Sequence, residues 1–236
     1  MTIEPMQYTG SSPVSDWKMG SSGTDEILPR IFRAARQQFA DAPGSHDWEH
    51  TLRVLRLCRR IGPVEGADML VLESAALLHD IGRPLQDATN GSVCHAQQGA
   101  AMAGRIIDVL PLTVARRDNI IHCVRSHRFR DRHSPESIEA KVLFDADKLD
   151  AIGAVGVARA YLFAGELGAC LHNPHLAPEQ AEPYSRNDTG HREFSVKLSK
   201  IKDRMLTAEG RRMAGERHAF MVAFFNRFLE ELEGQC

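Results

Sequence analysis

The chain has 236 residues, of which 43% are apolar and 25% charged, with a formal net charge of −2. That balance belongs to a globular protein with a sizeable core and excludes a chain that stays disordered. The near-neutral charge supplies no basic field, so nucleic acid ranks low among partners. No stretch approaches the ~20 apolar residues of a membrane span, and the N-terminus carries no charged-then-apolar signal segment; a cytoplasmic protein without membrane association is expected. Cys58, Cys94, Cys123, Cys170 and Cys236 are odd in number and form no Cys-x-x-Cys pair, which argues for reduced, structural thiols.

Residues 1–23, rich in Gly, Ser and Pro, read as a flexible arm, and residues 24–236 as one domain. A first helix is predicted from about Thr24, with Ile27, Ile31, Ala34 and Ala35 on one face, ending near Pro43-Gly44. A second starts after Asp47, a suitable N-cap, and runs through Leu52, Leu55 and Ile61 to Gly62. The third, about 67–80, is apolar nearly all round and therefore buried, with Gly82 placed as its C-terminal cap and Pro84 as a stop. Further helices are predicted at 93–110, 113–127, 136–151 and 154–169, each with apolar residues three and four apart, and no segment alternates as a strand. The Pro-rich stretch 170–190 reads as a lid loop. Two more amphipathic helices are expected at 191–206 and 208–233, the last with Phe220, Phe224, Phe225, Phe228 and Leu229 on its apolar side. The fold class is thus all-α.

Seven of the eleven histidines (His46, His50, His79, His95, His122, His127 and His133) fall in one span that also contains His79-Asp80 and the run Asp145-Ala-Asp147-Lys148-Leu-Asp150. An apolar helix ending in an imidazole beside a carboxylate needs something to satisfy both, and a metal ion does so; the alternative is a histidine favouring the helix dipole beside an exposed acid. Three carboxylates between Phe144 and Ala151, in an otherwise apolar helix, pose the same question. A cation neutralises one of them, while Lys148 either holds a phosphate oxygen or pairs with a neighbouring Asp. His191, Lys197 and Lys200 read as a solvated helix face.

The ordered blocks SHDWEHTLRV, ALLHDIG, IIHCVRSHRFR, DADKLDAIGAVGVAR and GERHAFM resemble the HD-domain superfamily of metal-dependent phosphohydrolases, and within it a bacterial subgroup acting on nucleotides. The resemblance covers about residues 27–233 and implies an HD-type helical bundle on which the C-terminal helices pack. It implies His50, His79, Asp80 and Asp147 as metal ligands. His50 is favoured over His46 by the spacing to Val54, and Asp147 over Asp145 by the basic and apolar residues that follow it. It further implies a divalent ion, Mn²⁺ or Mg²⁺ first and Fe, Co or Ni next, since two imidazoles and two carboxylates suit such ions and exclude a thiolate site.

The activity implied is hydrolysis of a phosphate ester or anhydride in a small nucleotide-like substrate, including nucleoside triphosphate pyrophosphohydrolysis. Asp80 and His127 take the catalytic roles, and His95, Lys148 and Arg53, with Arg128 as a further candidate, hold the substrate. A second ion held by His95 with His122 or His127 is the competing use of those imidazoles. A non-catalytic nucleotide or metal sensor and a di-iron oxygenase on the same fold are the alternative functions. Homodimerisation is compatible with the sequence.

Overall fold

The computed structural model describes residues 26–39, 48–89, 92–128 and 133–235. The arm, the predicted cap Asp47 and His46 lie outside them. The described residues are all-α, with no strand among them and no helix long and apolar enough to cross a membrane.

The central element is α3 (Met69–Leu78), in which Val71, Leu72, Ala75, Ala76, Leu77 and Leu78 are all buried. A helix apolar all round has no face to offer water, so its neighbours enclose it: α1 (Ile27–Gln37), α2 (Trp48–Glu65), α6 (Val114–Ser126) and α7 (Ile138–Leu149) pack against it. Asp68 caps α3, accepting from Leu70 N and Val71 N at 3.1 and 3.4 Å. Thr113 and Ser137 do the same for α6 and α7. Around this centre lie α4 (Arg83–Ala88), α5 (His95–Asp108), α8 (Gly153–Glu166), α9 (Gly190–Val196) and α10 (Ala208–Leu232).

Several boundaries differ from the sequence reading for local reasons. α1 ends at Gln37, short of Pro43-Gly44. α2 passes the predicted stop at Gly62 and tolerates Pro63 in its last turn, because the chain finds its left-handed residue at Gly66 (φ 73°); Ala67 N then donates to Gly62 O at 3.0 Å. Pro84 does not end the chain's helical course. It sits in the first turn of α4, where no N–H is needed from it. The predicted helix 191–206 is two pieces, α9 and a 3₁₀ helix (Leu198–Arg204), broken at Lys197 (φ −133°, ψ −57°). The stretch 170–190 contains a short 3₁₀ turn (Pro178–Gln180) and is cross-braced by Cys170 N to Arg186 O at 2.9 Å and by Arg192 to Asp188 and Ala181 O. On α10, Phe225 is buried and stacks on Phe194 at 4.5 Å, whereas Phe220 is 46% exposed and is not part of the core.

Asp145 ties α10 to the bundle. Fully buried on α7, its carboxylate accepts from Leu206 N and Thr207 N (both 2.8 Å) and from Thr207 Oγ1 (2.6 Å). Gly210 passes so close that any Cβ there would lie 2.2 Å from Asp145 Oδ2. Asp145→Asn converts one acceptor into a donor facing donors, and should lower unfolding stability by about 2 kcal/mol. Urea denaturation measures this, and an unchanged midpoint would show that the anchor is dispensable.

Candidate metal centre

Five helices deliver polar side chains to one dry place. His50 comes from the first turn of α2, His79 and Asp80 from the end of α3, His95 from the start of α5, and His127 from the end of α6. Asp147 lies in the last turn of α7, and Asp150 caps that helix. His50, His79, Asp80, His95, His127 and Asp150 are all at most 4% exposed.

The hydrogen bonds fix which nitrogen of each imidazole looks inward. His79 Nδ1 donates to Ala76 O at 2.8 Å and His127 Nδ1 to Val124 O at 2.7 Å. Both histidines occupy the C-cap of their helix and use the carbonyl three residues back, one of the orphan acceptors a helix end exposes. His50 Nδ1 donates to Asp150 Oδ2 at 2.8 Å. His95 Nδ1 donates to Gln86 Oε1 at 2.8 Å, and Arg128 Nη1, donating to the same atom at 3.3 Å, marks it as the amide oxygen. Each Nε2 is left facing another: His50 to His79 at 3.3 Å, and His95 to His127 at 3.2 Å.

Two neutral imidazoles whose Nδ1 atoms are already donors present lone pairs to each other at those distances, which is repulsive unless a cation or proton lies between them. Two triads result, His50–His79–Asp147 and Asp80–His95–His127, each with ligand atoms within 4.8 Å of one another. Asp80 lies between them. Its Oδ2 is 3.8 Å from both His50 Nε2 and His79 Nε2, while its Oδ1 is 3.1 Å from His95 Nε2 and 3.4 Å from His127 Nε2. Asp147 Oδ1 is 3.3 Å from His50 Nε2, and its Oδ2 accepts from Lys148 Nζ at 2.6 Å. The donor set, nitrogen and carboxylate oxygen without thiolate, fits a hard or borderline divalent ion.

Proton affinities follow from these neighbours. Burial alone would lower the His50 pKa, but its bonds to Asp147 and Asp150 together with the charge of Asp80 push it up to about 9. Burial lowers His79 to about 4 and also lowers His95. For Asp80, burial would raise the pKa, but His79 and the bonds from His127 and His95 hold it well below the carboxylate range; Lys148 and His50 do the same for Asp147. Asp145, away from this cationic company, is instead raised by burial.

Other residues singled out in the sequence fall elsewhere. Asp145 faces α10, as described above. His122 Nε2 accepts from Glu136 N at 3.0 Å and is in neither triad. His133 is exposed. Arg53 donates through Nε and Nη2 to Asp150, at 2.7 and 3.1 Å. Lys148 lies 5.2 Å from the Phe144 ring centroid while bonded to Asp147. Gly82 is not a left-handed cap; it is the point of closest approach between the α3–α4 turn and α5, where a Cβ would meet His95 O at 2.4 Å. That approach brings His95 beside Asp80. Sequence reasoning missed the roles of Asp150, Gln86 and Arg159, whose partners are 97 and 100, 9, and 9 residues away respectively.

The HD-domain family model matches residues 47–152, the span from α2 through α7 that holds every residue of the two triads. The Bacillus subtilis (strain 168) protein YpgQ is 37% identical over 199 residues, covering 82% of this chain and 88% of YpgQ. The chain belongs to the HD-domain family. A crystal structure of an HD-superfamily hydrolase from Bacillus thuringiensis superposes with a TM-score of 0.72 at 27% identity, covering 90% of this chain and 100% of that one. The structure of B. subtilis YpgQ in complex with ADP superposes with a TM-score of 0.65 at 31% identity, covering 89% and 96%. Within the matched span, the adjacent His79 and Asp80 lie at the C-terminal end of the buried helix α3.

His50 sets a pH dependence for the metal-free protein. Its folded pKa, about 9, lies above the unfolded value near 6.5. The proton it keeps therefore stabilises the fold fully below pH 6.5, and that contribution is lost between about 6.5 and 9. The loss amounts to about 3 kcal/mol. His79, with its lowered pKa, acts in the opposite sense and only between about 4 and 6.5. Chelator-treated protein should thus melt at a lower temperature at pH 9 than at pH 6.5, and His50→Gln should flatten that difference; an equal slope in the variant would remove His50 as its source.

Proposed function

We propose that the chain is a metal-dependent phosphohydrolase that cleaves a phosphate ester or anhydride of a nucleotide-like substrate. The observation that carries this reading is the set of facing Nε2 atoms, oriented by Nδ1 donation and flanked by ionised carboxylates. His50, His79, Asp80 and Asp147 would hold a divalent ion, Mn²⁺ or Mg²⁺ first. When bound, such an ion lowers the pKa of a water molecule toward neutrality and offsets charge on a phosphoryl oxygen.

The protein's own groups divide the remaining work. Asp80, held ionised, accepts a hydrogen bond from the attacking water and so orients it for in-line attack. Lys148, 22% exposed and paired with Asp147, is a cation able to turn toward a substrate oxygen. The burial of the surrounding imidazoles keeps bulk water from competing with the positioned nucleophile. A nucleotide ligand is supported by the ADP complex of YpgQ, and nucleoside triphosphates are the class to assay first, with release of orthophosphate or pyrophosphate separated by product analysis.

His95 and His127 serve this chemistry in one of two ways. To grip a phosphoryl oxygen or act as an acid, each must carry a proton on Nε2 as well as on the Nδ1 already donated. Burial lowers the His95 pKa, which favours a lone pair there, and with Asp80 Oδ1 3.1 Å away, His95, His127 and Asp80 would hold a second cation. Two Mn²⁺ per chain are expected for the wild-type protein and one for His127→Ala. One ion in both proteins, with turnover reduced in the variant, would return His95 and His127 to the substrate and the leaving group.

Substitution of His79 or Asp147 by Ala should reduce metal-dependent turnover by more than ~100-fold, beyond the loss that follows from removing a supporting hydrogen bond to a ligand. Initial rates on a nucleotide panel with and without Mn²⁺ measure this, and wild-type rates in either variant would refute the mechanism.

A further inference from the structure

Asp150 was conspicuous in the sequence only as one of three neighbouring acids, and the hydrolytic mechanism above does not use it. It caps α7 one turn beyond Asp147, so the two side chains lie on nearly the same face of the helix. They grip His50 from opposite ends: Asp147 Oδ1 approaches Nε2 at 3.3 Å, and Asp150 Oδ2 receives Nδ1 at 2.8 Å.

Asp150 is itself held from two further directions. Arg53, one turn after His50 on α2, donates Nε to Oδ1 at 2.7 Å and Nη2 to Oδ2 at 3.1 Å. Arg159, on α8, donates Nη1 to Oδ2 at 2.7 Å and to the Asp150 carbonyl at 3.3 Å. With the residue only 1% exposed, these donors replace the water that an ionised carboxylate would otherwise require. The result is a carboxylate with no rotational freedom, pressed against the outer nitrogen of an inward-facing imidazole.

We propose that Asp150 is the positioning residue of the metal centre: it fixes His50 with Nε2 directed at the ion, and Arg53 and Arg159 lock it in place for that purpose. This rests on the reading of His50 as a metal ligand. Asp150 touches neither substrate nor ion and acts through His50 alone. A carboxylate behind a ligating imidazole orients the ring, selects the tautomer and raises ligand basicity, and its removal typically costs about 10–100-fold in metal affinity. The arrangement also makes α8 a participant in the centre, although it supplies no ligand to either triad.

The test is Mn²⁺ affinity, read from the electron paramagnetic resonance signal of free Mn²⁺ during titration of the full chain. Wild type, Asp150→Asn, His50→Gln and Asp145→Asn are compared. Asp145→Asn is the control for destabilisation of the same helix, since Asp145 faces α10 and touches no ligand. Asp150→Asn should bind Mn²⁺ about 10–100-fold more weakly, while Asp145→Asn stays within about threefold of wild type. Turnover of Asp150→Asn should recover at saturating Mn²⁺, which a purely structural lesion would not allow. Wild-type affinity in folded Asp150→Asn, with His50→Gln weakened, overturns the positioning role and leaves the ligand assignment standing. Wild-type affinity in His50→Gln overturns the ligand assignment itself. Should circular dichroism show that Asp150→Asn does not fold, Arg159→Met replaces it; a loss of about threefold or more supports the proposal and wild-type affinity overturns it.

Discussion

A carboxylate buried at the end of an apolar helix is the constraint from which the rest of this structure follows. Asp80 is 4% exposed and sits at the C-terminal end of α3, where the helix dipole disfavours an anion. Taking such a group out of water is costly by several kcal/mol unless cations or donors surround it. The four imidazoles around it, with Asp147 beside them, meet that need when a proton or a metal cation sits among their inward nitrogens, which face one another and Asp80. The hydrophobic character of α3 is therefore more than a folding signal. By placing that helix at the centre of the bundle, it puts the His-Asp pair where water cannot screen the charge on an ion or a phosphoryl group.

α7 shows how one run of acids is divided among tasks by helical angle. Asp145 and Asp147 are two residues apart and point to nearly opposite sides, whereas Asp147 and Asp150, three apart, share one. Asp145 accordingly binds the start of α10, Asp147 faces the imidazoles, and Asp150 turns back on His50. Their surroundings then set their proton affinities: raised by burial for Asp145, and lowered for the other two by the cations and imidazoles that face them.

Helix number and order were largely legible because most of these helices carry apolar periodicity and end at Gly, Pro or a capping side chain. The errors occur where a residue's usual meaning was displaced by its position. Gly62 falls inside α2 and Pro84 in a first turn, where neither ends a helix, and Gly82 is required for contact with α5 rather than for its backbone freedom. The break at Lys197 had no marker of that kind in the sequence. At the metal centre, His79 and Asp80 could be found from their placement on a buried helix. Asp150, Gln86 and Arg159 could not, since their roles depend on which rotamers meet between helices: Asp150 reaches across to α2, while Gln86 and Arg159 each meet a residue of the neighbouring helix.

The two triads also share a construction that explains why they need so few supporting side chains. His79 and His127 each occupy the residue immediately after a helix, and each donates Nδ1 to the carbonyl three residues earlier. A helix end leaves such carbonyls without an intrahelical partner. Here the backbone supplies the acceptor that orients the ring, so the direction of Nε2 is set by the helix axis itself. His50 and His95 stand near helix starts, where no such carbonyl is available, and it is these two that require side-chain acceptors, Asp150 and Gln86. The difference between helix end and helix start thus decides which imidazoles the backbone can orient alone and which depend on a second residue.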